Sequence, residues 1–136
     1  MITGIGSVSV LVDDAQRSAE WYRDKLGFEI VEDKKHTVFV RPNGSQMLLH
    51  LCGPCDAWGN DHPGGRTGIW LNCGEIVMRR DQKSGILIPV SNGDGVEKTY
   101  VELKRQGVEF SEELSSTNWG KYAVFKDLDG NEFEIS

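Results

Sequence analysis

The chain repeats one local pattern twice, and the two copies are 80 residues apart. In each copy a run with helical character ends at a glycine, Gly27 in the first and Gly107 in the second. Glycine is favoured after the last turn of a helix because it adopts a left-handed backbone conformation without steric cost. Each helical run also follows a candidate capping aspartate, Asp14 or Asp94, at the same separation. A shared offset at two landmarks indicates an internal duplication and therefore two similar modules.

The final segment, residues 122–136, reads as a strand, a tight turn and a second strand. The turn at 127–131 has the sequence DLDGN, whose Asp, Gly and Asn residues favour turns. In the last strand the side chain of Glu134 alternates with those of Phe133 and Ile135. Glu134 is therefore predicted to point into a cavity if that face of the sheet encloses one.

The same reading of periodicity and turn residues predicts one helix and several strands in each copy. This gives an α+β fold of two βαβββ modules, each a curved mixed sheet with one helix outside. For the first module we expect strands at about 5–12, 28–32, 36–41 and 46–52 and a helix at about 15–26. For the second we expect a helix at about 94–106 and strands at about 107–111, 121–126 and 131–135.

The first strand of the second module has two possible positions. The offset of 80 residues favours residues 84–90, which would make modules of about 1–52 and 84–136 within one domain. Residues 53–83 would then join them through a loop and extra strands. In the alternative, residues 67–72 form that first strand and residues 74–92 are an insertion.

Composition excludes several classes of function. The formal net charge of the 136 residues is −6 and no basic stripe is visible, which argues against nucleic acid and anionic membranes as partners. No apolar run approaches the roughly 20 residues that span a bilayer, and no signal peptide is expected at the N-terminus. Three cysteines, an odd number, favour the reducing cytoplasm over a disulfide framework.

Four segments carry a resemblance to a known family: residues 10–33, 37–51, 101–113 and 118–136. The combination of LGF after the first helix with DLDGNEFE at the end resembles the vicinal oxygen chelate superfamily. That superfamily includes glyoxalase I, bleomycin resistance proteins and extradiol dioxygenases. The resemblance implies two sheets that enclose a cavity, and a homodimer, because members commonly pair modules across subunits.

The resemblance also implies where a divalent metal would bind, on the first and last strands of each module. In the first module the ligand position on the first strand falls on Ser7. The equivalent position of the second module falls on Leu87 or near Gly68, and none of these residues is a ligand in the metal enzymes.

The last-strand position falls on Glu134 in the second module and on His50 or Leu48 in the first. At most two candidate metal ligands therefore remain, His50 and Glu134, whereas a catalytic divalent ion usually has three. This favours a binding protein for a small organic molecule, without a complete metal site, similar to the bleomycin resistance branch. The alternative is a metal-dependent lyase or dioxygenase of the glyoxalase I type.

The predicted ligand site is a cavity between strands of both modules. Strand alternation places Ser7 and Ser9 opposite a row of valines, so they share a face that His50 and Glu134 would complete. Binding sites for small molecules are mostly apolar with a few placed polar groups, and the candidate apolar wall is Trp70, Trp119 and Tyr122. The net charge favours a cationic or neutral ligand.

Two cysteine motifs are weaker indications. Cys52-Gly53-Pro54-Cys55 is similar to the thioredoxin dithiol, but a loop sequence follows it where that chemistry needs a helix N-terminus. A zinc site that added His62 and Cys73 to the two cysteines would lack the usual spacing of a second ligand pair.

Overall fold

The computed structural model describes residues 1–91 and 95–136, with the side chains of all of these except 76 and 89–91. Asp94, the predicted cap of the second helix, lies outside the described residues. The elements, in order, are β1 (Ser7–Leu11), α1 (Ala15–Leu26), β2 (Glu29–Asp33), β3 (Thr37–Arg41), β4 (Leu48–Cys52), a 3₁₀ turn (Asp56–Trp58), β5 (Gly65–Leu71), β6 (Ile76–Arg80), β7 (Leu87–Ser91), α2 (Val96–Arg105), β8 (Phe110–Thr117), β9 (Gly120–Lys126) and β10 (Asn131–Ile135). The predicted α+β class is confirmed.

The ends of α1 are determined locally, as the sequence predicted. The Asp14 carboxylate accepts a hydrogen bond from the Arg17 backbone N–H at 3.1 Å, which caps the first turn. Gly27 ends the helix with φ of 70°, and its N–H donates to the Arg23 carbonyl. After α2, the capping residue Gln106 is still right-handed, and the left-handed residue is Gly107, with φ of 84°, one position later than in α1.

Two four-stranded sheets have the same strand order, first–fourth–third–second. They are β1-β4-β3-β2 and β5-β10-β9-β8. The first strand of the second sheet is therefore β5, and the prediction of residues 84–90 for that position is wrong. Those residues contribute to β7, which pairs with β6 in a separate two-stranded sheet. The offset of 80 residues failed as a guide because this hairpin is inserted between β5 and α2.

The chain divides into two compact units. Unit 1 is Met1–Thr67 with Lys126–Glu132, and unit 2 is Gly68–Phe125 with Phe133–Ser136. The turn between β9 and β10 thus belongs to unit 1, although most of both strands belongs to unit 2. Across residues 1–91 and 95–136, no helix is long and apolar enough to cross a membrane.

The core of unit 1 lies between α1 and one face of its sheet. α1 contacts β2, β3 and β4. Its buried side chains meet alternate residues of the strands, because successive strand residues point to opposite faces. The buried apolar set includes Val10, Val12, Ala15, Ala19, Tyr22, Val38, Val40, Leu49 and Leu51. The second face of this sheet carries side chains that are half-buried or exposed, so it stays open.

The core of unit 2 includes a row of aromatic rings, of which Phe125 and Phe133 are fully buried. Phe125 of β9 stacks on Phe133 of β10 with a centroid distance of 5.6 Å. Phe110 of β8 contacts Phe125 edge to face at 6.2 Å, and Tyr100 of α2 contacts Phe110 in the same way at 4.7 Å. Aromatic pairs at these distances stabilise a core beyond the area that they bury.

A buried polar network holds the β9–β10 turn inside unit 1. The Tyr22 hydroxyl donates to the Asp127 carboxylate at 2.6 Å. Asn131 donates from Nδ2 to the same carboxylate at 2.9 Å and to the Leu11 carbonyl at 2.8 Å. Burial, followed by the negative charge of Asp127, raises the pKa of the Tyr22 phenol well above its ordinary value of 10.0. The phenol therefore stays a hydrogen-bond donor to Asp127 throughout the neutral range.

We predict that Tyr22→Phe lowers the free energy of unfolding by about 1.5–3 kcal/mol near neutral pH, because a buried carboxylate loses a donor. Folding raises the pKa of this phenol. The contribution of the Tyr22 hydroxyl to the free energy of unfolding is therefore complete below about pH 10, the pH at which the phenol of the unfolded chain ionises. This contribution is lost as the pH rises further. Urea unfolding near neutral pH and near pH 10.5 checks both statements. The difference between wild type and variant is expected to shrink at the higher pH.

A matched control is Tyr100→Phe, whose hydroxyl donates to the exposed Glu113 carboxylate. This variant is expected to lower the free energy of unfolding much less than Tyr22→Phe does, since the Glu113 carboxylate is exposed and already solvated. An equal loss in both variants would contradict the role given to the Tyr22–Asp127 bond.

Candidate functional site

The open face of the unit 1 sheet carries the polar residues predicted from strand alternation. Ser9 of β1 lies directly opposite His50 of the parallel strand β4, and Ser9 Oγ is 3.1 Å from His50 Nδ1. Ser9 is exposed and Ser7 is half-buried, whereas Val10 next to Ser9 is buried against the core. These three predicted residues, Ser7, Ser9 and His50, therefore occupy one surface of unit 1.

His50 is held on its other side by an aromatic ring. Phe39 of β3 is its partner across the antiparallel β3–β4 pair. The two rings stack with centroids 4.7 Å apart and planes 12° apart. Between Ser9 and Phe39, the imidazole has a fixed orientation and keeps Nε2 as a second polar atom that can donate or accept a hydrogen bond. Sequence reasoning missed Phe39, although its alternation with Val38 and Val40 was a usable signal.

The donor set on this face does not fit a divalent metal by itself. In the part of the chain that the structure describes, no three His, Cys, Asp or Glu side chains come together as a metal-binding group. The His50 ring contacts the Ser9 hydroxyl and the Phe39 ring, and neither is a usual ligand of catalytic zinc.

The cysteine motif also lacks the context that thiol chemistry needs. Cys52, at the end of β4, is half-buried and Cys55 is exposed. A 3₁₀ turn of three residues, Asp56–Trp58, follows instead of a helix whose N-terminus would lower a thiol pKa. At Gly53 a Cβ would be 2.6 Å from the His36 carbonyl oxygen, so glycine is required there for backbone packing.

The unit 2 sheet buries Phe125 and Phe133 on one face, and its other face, called its open face below, carries a stack of three aromatic rings. Trp70 of β5 and Trp119, in the turn before β9, have ring planes 14° apart and centroids 6.1 Å apart. Trp119 also stacks on Tyr122 of β9, with centroids 5.3 Å apart and planes 28° apart. Trp70 and Trp119 are 61% and 57% exposed, so large areas of both indoles face solvent. We call these three residues the aromatic stack.

Glu134 shares the open face with the aromatic stack. It lies on β10, which is between β5 and β9 in the sheet. Phe133 and Ile135 on either side of it are buried, whereas Glu134 is half-buried. The predicted alternation in the last strand is therefore observed, and a carboxylate lies on the strand between those of Trp70 and Tyr122.

The structure thus distributes the seven predicted site residues over two surfaces, each within one unit. Unit 1 brings together Ser7, Ser9 and His50, and unit 2 brings together Trp70, Trp119, Tyr122 and Glu134. The spacing of the three aromatic residues gave no indication that their rings stack, because the stack depends on which strands are neighbours in the sheet.

Comparisons with known proteins agree with this architecture. The Bacillus subtilis (strain 168) protein YetH is 30% identical over 133 residues, which cover 98% of this chain and 97% of YetH. A superfamily member from Sphaerobacter thermophilus DSM 20745 has a crystal structure with a TM-score of 0.73 and 30% identity, covering 98% and 96% of the two chains. TnmS3, described as an antibiotic binding protein from Streptomyces sp. CB03234, has a TM-score of 0.71 at 24% identity. The match covers 99% of this chain and 95% of TnmS3.

The sequence model of one family matches almost the whole chain, residues 4–135. Its description includes the glyoxalases and bleomycin resistance proteins that the resemblance indicated, so that prediction is confirmed. The chain belongs to the Glyoxalase/Bleomycin resistance protein/Dioxygenase superfamily.

Proposed function

We propose that the protein binds a small organic molecule with a flat aromatic part, which packs on the aromatic stack of unit 2. The observation that supports this most directly is the exposure of two stacked indoles, Trp70 and Trp119. Large exposed apolar surfaces are rare in soluble proteins unless they serve an interaction. Indole rings stack on flat ligands because both surfaces are apolar and polarizable, at about 0.5–1.5 kcal/mol for each ring pair beyond the buried area.

The charge near the stack favours a cationic or neutral ligand over an anionic one. The carboxylate of Glu134 lies on the strand between those that carry Trp70 and Tyr122. The faces of aromatic rings also attract cations. A net charge of −6 over the whole chain acts in the same direction on a ligand that approaches from solution.

For unit 1 we propose a polar binding surface made of Ser7, Ser9 and His50. The hydroxyls and the imidazole can donate or accept hydrogen bonds, so they suit the carbonyl, hydroxyl or amine groups of an organic ligand. Phe39 fixes the imidazole plane, which lowers the entropy lost when a ligand binds to it.

The alternative, a divalent-metal-dependent lyase or dioxygenase, requires a third protein ligand. Our proposal predicts that protein purified without chelator carries far less than one equivalent of Ni, Zn, Mn or Fe by elemental analysis. A stoichiometric metal in that preparation would favour the enzyme over the binding protein.

The stack is tested with Trp119→Ala and a cationic acridine dye as probe. Loss of one stacking ring is expected to cost about 1–3 kcal/mol, which raises the dissociation constant roughly 5- to 150-fold. Trp119→Phe keeps a ring at the same position and is expected to retain most of the affinity. Quenching of tryptophan fluorescence measures both constants. Unchanged affinity in Trp119→Ala and in Trp70→Ala would exclude the stack as the binding surface.

The role of charge is tested with Glu134→Gln. The variant is expected to bind the cationic acridine about fivefold more weakly, which corresponds to about 1 kcal/mol, and a neutral anthraquinone equally well. Glu132→Gln is the control, because it removes the same charge two residues away on the same face of β10, where the Glu132 carboxylate lies 3.8 Å from Arg66. If both glutamine variants changed acridine affinity equally, the effect would be one of general charge and not of Glu134.

A further inference from the structure

Trp119 is the ring of the aromatic stack that contacts both of the others, and it is also the one whose backbone lies outside a strand. It stacks with Trp70, which belongs to β5, and with Tyr122, which belongs to β9. Trp119 itself lies in the two-residue turn between β8 and β9. We propose that the Thr117 hydroxyl is the positioning group that holds Trp119 in the stack. This inference rests on the proposed ligand site of unit 2 and adds a residue that acts on that site through Trp119.

The backbone of Trp119 needs a restraint of its own, because the hydrogen bonds of a ladder fix only residues within strands. The ladder of the β8–β9 pair ends with Thr117 opposite Gly120, and the two residues between them lie outside it. More than half of the Trp119 side chain is exposed, so packing restrains only part of the indole. Contacts within the turn therefore have to set the direction in which the indole leaves the backbone.

The Thr117 hydroxyl bridges this turn with two hydrogen bonds. Its oxygen accepts from the Trp119 backbone N–H at 3.3 Å. The same hydroxyl donates its proton to the Gly120 carbonyl at 2.7 Å. A hydroxyl can make both bonds at once because it has one proton and two acceptor lone pairs. The bridge thus fixes the backbone before and after the Cα of Trp119, which is the atom from which the indole projects.

The rest of the turn is built to suit this bridge. Gly120 and Tyr122 are two residues apart on β9 and share a face, and Thr117 is directly opposite Gly120. The hydroxyl therefore lies on the face of the sheet that carries the stack. Gly120 has a φ of 137°, which favours glycine, although an added Cβ would meet no atom within 4 Å. The turn depends on two local features, the Gly120 conformation and the Thr117 bridge.

Three possible roles of the Thr117 hydroxyl give different experimental results. A hydroxyl that only stabilises the hairpin affects unfolding but leaves the indole geometry of the folded protein unchanged. A hydroxyl that binds the ligand directly affects affinity but leaves the indoles of the free protein unchanged. A positioning hydroxyl changes the indoles of the free protein, and the affinity then falls with the fraction of molecules in the binding-competent conformation.

Far-ultraviolet circular dichroism of the free full chain separates these roles. Stacked indoles couple electronically and give a pair of bands of opposite sign, and the difference between wild type and Trp119→Ala defines this signal. Thr117→Val keeps the shape of the side chain and removes the hydroxyl, so it is expected to lose at least about half of the signal. Thr117→Ser restores the hydroxyl and is expected to keep the signal.

The affinity for the cationic acridine dye is measured on the same variants. Because Thr117→Val leaves fewer molecules with the indole in place, its dissociation constant is expected to rise about three- to tenfold. Thr117→Ser is expected to bind almost as tightly as wild type. Ser116→Ala is the control, because it removes an exposed hydroxyl from the opposite face of β8, across from Lys121. Its circular dichroism and its affinity are expected to be unchanged.

The outcomes separate this inference from the proposed ligand site. An unchanged signal in folded Thr117→Val would overturn the positioning role, whatever its affinity, and so would a Trp119→Ala spectrum identical to that of wild type. If the signal depends on Thr117 but all variants bind acridine equally, the positioning role holds and the proposed ligand site is wrong.

A measurement on wild type alone covers the case in which Thr117→Val fails to fold. The Trp119 amide, which donates to Thr117, is expected to exchange its hydrogen more slowly than the neighbouring Asn118 amide. Equal exchange rates at the two amides would contradict the bridge and overturn the proposal.

Discussion

The hydrogen bonds around the buried carboxylate of Asp127 are the constraint on which the rest of the structure depends. Asp127 is only 6% exposed, so its charge has to be compensated by donors inside the protein. The donors are the Tyr22 hydroxyl, Nδ2 and the backbone N–H of Asn131, and the N–H of Asp129. Because such networks are strong only when complete, the turn between β9 and β10 has one favourable position in unit 1.

That position also sets the register of β10. Asn131 begins the strand and is itself bonded to the Leu11 carbonyl, so the strand cannot slide without breaking this bond. A slip of one residue would turn Phe133 to the open face and Glu134 into the core. Burying an unpaired carboxylate costs more than any aromatic contact would return. The network therefore determines which face of unit 2 carries the carboxylate of the proposed ligand site.

Local features were predictable from the sequence, and long-range pairings were not. Helix α1, its Asp14 cap and its terminal glycine follow from neighbouring residues, and the alternation of Phe133, Glu134 and Ile135 follows from strand geometry. The position of β5 was predicted wrongly, because a sequence offset does not show which strand pairs with β10. The bond between Tyr22 and Asp127 joins residues 105 positions apart, and their spacing gives no indication of it.

The two modules share a buried pattern but differ on their open faces. In the first strands Ser9 occurs on β1 and Trp70 on β5, and in the fourth strands His50 occurs on β4 and Glu134 on β10. The third strands carry Phe39 and Tyr122. Buried side chains have to fill a close-packed volume, so substitutions there are restricted, whereas an open face tolerates different chemistry. A duplicated sheet can therefore keep one core while one copy presents hydrogen-bonding groups and the other presents stacked rings.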